Sequence, residues 1–385
     1  MGISSSSVRE PKPPGFQGQA VHDQRVGPVV GGTASRDHTD NPGKPSNEVA
    51  FRSFDDEWRR WIAENLLVAN SPESVLHVLK SNGFSPQDSV DEIRNAQQSP
   101  YLQGSALLMS RLRKREWILS VYRKLNRLHP ESREIERKHK LSRDEFLREY
   151  YTTNRPVIIT GMMDDWPAMR KWDLDYFTEK FGNREVEVQM NRTSGDQGAQ
   201  YEVNSDRFIG KIKFGEFVEK ARTAGVTNDF YLTANNNSSN RKILPELWDD
   251  IGRLPEYLSD QPSGFFWMGP AGTVTPFHHD LTNNFMAQVM GRKLLRIAPS
   301  WDIPLMRNYH HVFCQVDGRV TPPAPSPAFE APQILECVLH PGEILFLPIG
   351  CLHYVQGLDI TVTVSFTNFV FDNDFSSFYS CYCPV

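Results

Sequence analysis

From Val157 onward the sequence breaks into short runs of β-branched, aromatic and aliphatic residues separated by Gly, Pro and Asn. They are Val157-Ile158-Ile159-Thr160, Val186-Glu187-Val188, Phe265-Phe266-Trp267-Met268, Leu294-Leu295-Arg296-Ile297, Ile344-Leu345-Phe346-Leu347 and Ile360 through Phe366. Segments of this length and composition favour strands, because a β-branched side chain fits a pleated surface better than a helical turn. Many short strands without intervening helices argue for a sandwich or a barrel. The Pro-rich stretch from Thr321 to Pro332 cannot be a central strand, since proline donates nothing to a ladder, and is expected to be a surface loop. No internal repeat is visible.

Upstream the texture differs. Residues 1–50, rich in Gly, Pro, Ser, Asp and Arg, cannot bury enough surface to offset the entropy of ordering and are expected to form a disordered tail. Trp58, Trp61, Ile62, Asn65 and Leu66 then recur at helical spacing. Ser71-Pro72-Glu73 and Ser85-Pro86 each place an N-cap serine before a first-turn proline, with Gly83 ending the helix between them. A small all-helical unit is therefore expected at 51–104. Connecting helices are expected at 105–150, including Leu107 to Leu128 and a Ser142-x-x-Glu145 capping box, with the main domain at 151–385.

Lys plus Arg number 42 against 47 Asp plus Glu, a net charge of -5, so the global basic excess that drives nonspecific nucleic-acid binding is missing. Five cysteines, two of them Cys381 and Cys383, are no framework for paired disulfides and fit a reducing, cytoplasmic setting. No stretch reads as a membrane span or a secretory signal. Met1-Gly2-Ile3-Ser4-Ser5-Ser6 formally fits an N-myristoylation pattern, which is too short to carry weight alone.

The chemistry concentrates around Thr275-Pro276-Phe277-His278-His279-Asp280. Read as a strand running into a turn, this segment puts His278 and Asp280 on one face and His279 on the other. His353, seventy-five positions after His278, follows the apolar run 344–347 and offers a third donor. Two His and one carboxylate, with coordination positions left over, make the facial triad of non-haem Fe(II) oxygenases. The tripeptide alone is weak, because a histidine on a strand is more often a hydrogen-bonded structural residue.

The surroundings add more. Trp267 through Asp280, then Asn283-Asn284-Phe285, Gln288-Val289-Met290-Gly291-Arg292-Lys293, and later His340-Pro341-Gly342-Glu343-Ile344-Leu345-Phe346-Leu347-Pro348 with His353, resemble the JmjC (cupin-like) family of 2-oxoglutarate-dependent oxygenases, in order, from Arg155 to Phe371. The resemblance implies a mainly β double-stranded β-helix, a jelly roll, with Fe(II) held by His278, Asp280 and His353 and with 2-oxoglutarate and O2 as co-substrates. It implies further that Lys293 pairs with the distal carboxylate of 2-oxoglutarate and that Thr275 and Tyr231 complete that grip. Asn284 and Asn368 would line the pocket, and Trp267 would pack beside the co-substrate. Each of these also has a plain structural reading as a turn, cap or core residue. His279, His310 and His311 have no clean ligand role and are expected to be structural or substrate-facing, and Cys351 reads as a small buried hydrophobe.

The match is strongest to the protein-hydroxylase branch, which implies a protein or peptide substrate; the charge balance argues against nucleic acid as the main partner, and the missing apolar span against a membrane. Lysine demethylation is the weaker reading, because no Cys/His cluster with zinc spacing occurs. A small-molecule or amino-acid oxygenase would share every residue named. A cupin that only binds metal is the alternative of a different class, against which Lys293, Thr275 and Tyr231 speak together. The helical unit is expected either to dock a peptide or to pack or dimerise, so a homodimer is one expectation. Specificity is expected in Asn235, Asn236 and Asn237 and in the loop 309–332.

Overall fold

The structure, a computed structural model, describes residues 51–130, 132–193, 204–233, 239–260, 264–308, 311–320 and 331–375. The expectations for the tail, for Asn235 to Asn237, for His310, for half of the loop 309–332 (309–310 and 321–330) and for Cys381 and Cys383 lie outside these residues. The chain divides into two compact units, one ending at Trp117 and one beginning at Ile118.

The first unit contains helices α1 (Asp56–Leu67), α2 (Pro72–Ser81) and α3 (Pro86–Gln98), and the start of α4 (Pro100–Leu128), an unbroken helix that crosses into the second. Each of the first three starts on a side-chain cap: Asp55 accepts from the Trp58 amide, Ser71 from Ser74 and Ser85 from Asp88. Such a cap contributes about 1 kcal/mol. Gly83 sits at φ 85° just past α2, where a residue with a Cβ would be strained. Trp58, Trp61, Ile62, Val75, Leu79, Phe84 and Ile93 form the core, with Phe54 stacked on Phe84 at 4.3 Å.

The second unit carries twelve strands among its described residues. These are β1 (Glu136–His139), β2 (Val157–Thr160), β3 (Glu185–Gln189), β4 (Ile209–Lys213), β5 (Phe265–Gly269), β6 (Val274–His278), β7 (Asn284–Met290), β8 (Lys293–Ala298), β9 (Leu335–Leu339), β10 (Glu343–Leu347), β11 (Leu352–Gly357) and β12 (Thr361–Phe366). A six-stranded sheet has the order β1-β2-β10-β7-β12-β5, a four-stranded sheet the order β6-β11-β8-β9, and β3 pairs with β4. From β5 to β12 the chain passes repeatedly between the two larger sheets, giving the double-stranded β-helix that was expected.

Alternation along the strands builds two cores. Ile158, Leu295, Ile297, Leu335, Leu339, Leu345, Leu347 and Val355 fill one end of the space between the sheets. The other face of the six-stranded sheet, through Phe266, Met268, Phe285, Ala287, Ile344, Phe346, Val362 and Val364, is also apolar and packs in one cluster with helical residues. Here the expectation of strands without intervening helices fails. Helices Leu174–Phe181 and Phe214–Thr223 precede β5 and bury Phe177, Phe181, Phe214, Phe217 and Val218 in that cluster. An apolar sheet face demands such cover. Residues 136–139 also depart from the helical expectation for 105–150: Glu136-Arg137-Lys138-His139 is a parallel edge strand beside β2, and its charges blunt the edge.

Within the second unit, Arg123 near the end of α4 is 2% exposed and donates to the fully buried Asp302 and to the Trp301 carbonyl. Burial raises the Asp302 carboxyl above its ordinary range despite the guanidinium beside it. Removing one partner of a buried pair strands the other, so Arg123→Ala is expected to cost about 3 kcal/mol or more. The measurement is urea denaturation followed by far-UV circular dichroism; an unchanged midpoint would show that the pair contributes nothing.

Candidate active site

His278 is the last residue of β6 and lies in register with His353, the second residue of β11. The antiparallel ladder sets the two imidazoles side by side, ring centroids 4.2 Å apart. His278 Nδ1 lies 2.9 Å from the Pro276 carbonyl and His353 Nδ1 3.0 Å from the Cys351 carbonyl. Carbonyls only accept, so each Nδ1 carries the proton and each Nε2 presents a lone pair. Asp280, two residues beyond β6, places Oδ1 3.9 Å from His278 Nε2 and Oδ2 4.0 Å from His353 Nε2.

The three donor atoms lie within 4.8 Å of one another. The carboxylate's distances to the imidazoles are too long for hydrogen bonds, and three acceptors turned to one point repel unless a cation stands among them. Burial, with His278 beside it, pushes His353 down to about 4, so it is neutral near pH 7, as a ligand must be. Burial alone would raise the Asp280 carboxyl, but the positive charge that His353 and His278 carry when protonated, and the Asn284 amide, which donates to Oδ2 at 3.0 Å, hold it below its usual range. The donor set therefore fits a divalent transition metal.

A bulge extends the site along β6. Between the pairs His353–His278 and Val355–Thr275 the ladder shifts register, two residues on β6, Pro276 and Phe277, opposing one on β11, Tyr354. Residues three apart on a regular strand face opposite sides; with the extra residue, Thr275 and His278 both face inward. Lys293 opens β8 after the Gly291 turn, where φ is 67° and a Cβ would meet the Ile360 carbonyl. Its ladder partner is Gly357, two residues along β11 from the partner of Thr275. The side chain is 2% exposed, and its Nζ lies 3.2 Å from Tyr231 Oη. No carboxylate among the described residues pairs with it, and burial pushes the ammonium down to about 7. A buried cation of this kind calls for an anion.

Tyr231 sits where residues 231–232 stitch β3 to β5 through the bridges Gln189–Tyr231 and Leu232–Met268. Its ring lies 6.0 Å from that of Trp267, whose indole N–H donates to Ser365 Oγ at 2.8 Å. Asn284 opens β7, and its amide oxygen is buried without a partner. Asn368 is held by Ser259: its side-chain amide donates to the Ser259 carbonyl at 2.8 Å, and its backbone carbonyl accepts from the Ser259 amide. His279 is buried, with Nδ1 3.1 Å from the Asp280 carbonyl. Cys351 is buried, its thiol pushed up to about 12 by burial, in keeping with a small hydrophobe.

Sequence reasoning missed Gln288 and the inner face of β12. Thr363 Oγ1 donates to Gln288 Oε1 at 2.7 Å, Ser365 holds Trp267, and Thr361 Oγ1 is buried with no hydrogen-bond partner among the described residues. The signal was the alternation Thr361-Val362-Thr363-Val364-Ser365-Phe366, whose polar residues point into the barrel.

The sequence matches the cupin-like domain family over residues 143–377. It is 35% identical over 243 residues to a protein named Lysine-specific demethylase JMJ30 from Arabidopsis thaliana, covering 60% of this chain and 54% of that protein. It is 31% identical over 243 residues to Lysine-specific demethylase 8 of Xenopus tropicalis, covering 60% and 52%. With the human bifunctional peptidase and (3S)-lysyl hydroxylase JMJD7 it shares 27% identity over 264 residues, covering 61% and 83%. The chain thus spans about half the length of the two demethylases it matches. A family match over more than half of the chain, a double-stranded β-helix and a convergent His-Asp-His cluster agree, and the chain belongs to the cupin-like family of JmjC-domain oxygenases.

Proposed function

We propose that the chain is an Fe(II)- and 2-oxoglutarate-dependent oxygenase that hydroxylates a side chain of a protein or peptide. The observation that carries this reading is the buried Lys293 with Tyr231, an anion grip inside the same barrel as three convergent metal donors. A cupin that only bound metal would have no use for it. The relatives named for protein lysines support a protein substrate, and the low cysteine count supports a reducing, cytoplasmic setting.

His278, Asp280 and His353 would hold the metal and leave coordination positions open. When bound, iron(II) with 2-oxoglutarate supplies the activation of dioxygen, coupling loss of CO2 and formation of succinate to insertion of one oxygen atom into a C–H bond. The protein's share is placement and exclusion of water. Lys293 Nζ and Tyr231 Oη would donate to the distal carboxylate, with Thr275 on the same inner face. The anion would favour the charged form of Lys293, a charge-assisted contact in a dry interior. Asn284 favours the ionised form of Asp280, and Leu295, Ile297, Leu345 and Val355 give the barrel a buried apolar lining.

Three relatives carry demethylase names, so removal of a methyl group from lysine is the second reading. The test is purified protein with Fe(II), 2-oxoglutarate and a library of methylated and unmethylated peptides, read for succinate and peptide mass. A gain of one oxygen supports hydroxylation, loss of a methylene with formaldehyde supports demethylation, and succinate formed only with small molecules would remove the protein substrate.

The grip can be probed without touching it. A Cβ at Gly269 would lie 2.6 Å from the Tyr231 ring and 2.7 Å from Thr273 Cγ2. Overpacking of this kind costs about 1–3 kcal/mol. Gly269→Ala is therefore expected to raise the 2-oxoglutarate requirement about tenfold while leaving metal affinity unchanged. Saturation curves for both ligands check this, and an unchanged requirement would take Tyr231 out of the grip.

A further inference from the structure

The ladder fixes His278 against His353, but Asp280 lies beyond the end of β6 and needs another source of precision. Its continuation supplies one. Asn283, 2% exposed, is clamped at its backbone by one side chain: its amide donates to Asn373 Oδ1 at 2.8 Å, and its carbonyl accepts from Asn373 Nδ2 at 3.1 Å. Asn373 Nδ2 also donates to the Thr367 carbonyl at 2.8 Å, anchoring the clamp to the segment that follows β12. The Asn283 side chain reaches the other way, its Oδ1 accepting from the Ile349 amide at 2.8 Å in the turn that delivers His353.

That turn is held from its far side by a third asparagine. Asn154 Nδ2 donates to the Ile349 carbonyl at 2.9 Å, and its Oδ1 accepts from Ser300 Oγ at 2.8 Å and from the Cys351 thiol at 3.6 Å. Cys351 is the residue whose carbonyl fixes the His353 imidazole. A continuous chain of hydrogen bonds thus runs from Asn373 through Asn283 and Ile349 to Asn154, joining the Asp280 loop to the support of His353. No member points at the metal donors.

Building on the metal-centre reading above, we infer that Asn283 and Asn373, completed by Asn154, are positioning residues that set the spacing between Asp280 and the two histidines, making the segment after β12 part of the metal site. An asparagine suits the clamp because one planar amide both accepts from the N–H and donates to the C=O of a single residue. Aspartate at 373 would keep the acceptor and lose both donated bonds.

The test uses the full-length protein and Co(II) as a spectroscopic probe, titrated anaerobically into wild type, Asn373→Ala, Asn373→Asp and Asn240→Ala, with apo melting temperatures in parallel. Asn240 is the matched control: it clamps Glu187 by the same pair of bonds, at 2.9 and 2.8 Å, on β3. Loss of a group that orients metal ligands typically weakens binding by about 10- to 100-fold. Asn373→Ala is expected to weaken Co(II) by that factor and to change its visible spectrum, Asn373→Asp to fall between, and Asn240→Ala to lower the melting temperature while binding Co(II) as wild type does. Equal Co(II) affinity in wild type and Asn373→Ala would overturn the inference, as would an equal loss in Asn240→Ala. Failure of wild type itself to bind would instead strike the metal-centre reading.

Discussion

Asp280→Ala and His353→Ala are each expected to reduce 2-oxoglutarate turnover by at least about a thousandfold, since losing a donor removes several kcal/mol of metal-centred stabilisation. The fold should survive. Asp280 lies in a loop with its side chain 29% exposed, and the barrel is held by the Leu295, Ile297, Leu345 and Val355 cluster, to which neither residue belongs. Removing the carboxylate also relieves three mutually repelling acceptors in the metal-free protein. Succinate release and the apo melting temperature measure the two halves. Turnover at the wild-type rate in either variant would take the triad out of the mechanism.

Lys293→Met is expected to act in opposite directions on function and stability. Loss of the cation should raise the 2-oxoglutarate requirement by more than a hundredfold, because a buried charge paired with a carboxylate contributes about 3–5 kcal/mol. The apo protein should become more stable. With the folded-state pKa lowered to about 7 from an unfolded value near 10.5, the buried ammonium costs about 5 kcal/mol well below pH 7, where both states carry the proton. Between pH 7 and about 10 the unfolded chain holds more protons than the folded one, so wild-type stability rises with pH across that window. The variant should lack this rise, and saturating 2-oxoglutarate should suppress it in wild type. Urea midpoints at several pH values decide the matter, and a flat wild-type profile would mean that the ammonium is better solvated than its burial implies.

Much of the barrel was legible because its strands are short apolar runs cut by Gly and Pro, as at 265–268, 294–297 and 344–347. β7, Asn284 to Met290, was not. Its sequence Asn-Phe-Met-Ala-Gln-Val-Met satisfies a helical period as readily as a strand, and only pairing with β10 and β12 decides. The helices 174–181 and 214–223 carry the apolar spacing Leu174, Phe177, Phe181 and Phe214, Phe217, Val218, Ala221, a local signal overlooked beside the strand texture.

For the site, His278, Asp280 and His353 were legible because metal chemistry limits donor types and because an apolar strand and turn precede the third. The β6 bulge that turns Thr275 to the same side as His278 left no mark, since it is defined only against β11. The polar interior of β12 misled, because alternation is normally read with polar residues outward. The clamp at Asn283 was equally invisible: its partner lies ninety residues away and is another asparagine in a loop.

The central claim is that one barrel holds a metal and a 2-oxoglutarate grip together. Anaerobic titration of the purified chain with Fe(II) and then 2-oxoglutarate tests it most directly, through the weak visible charge-transfer absorption of the chelate. Formation of the band, its decay on admission of air and the appearance of succinate are the predicted result. Metal binding without a band, and no succinate after air, would contradict the account and leave a cupin that binds metal for another purpose.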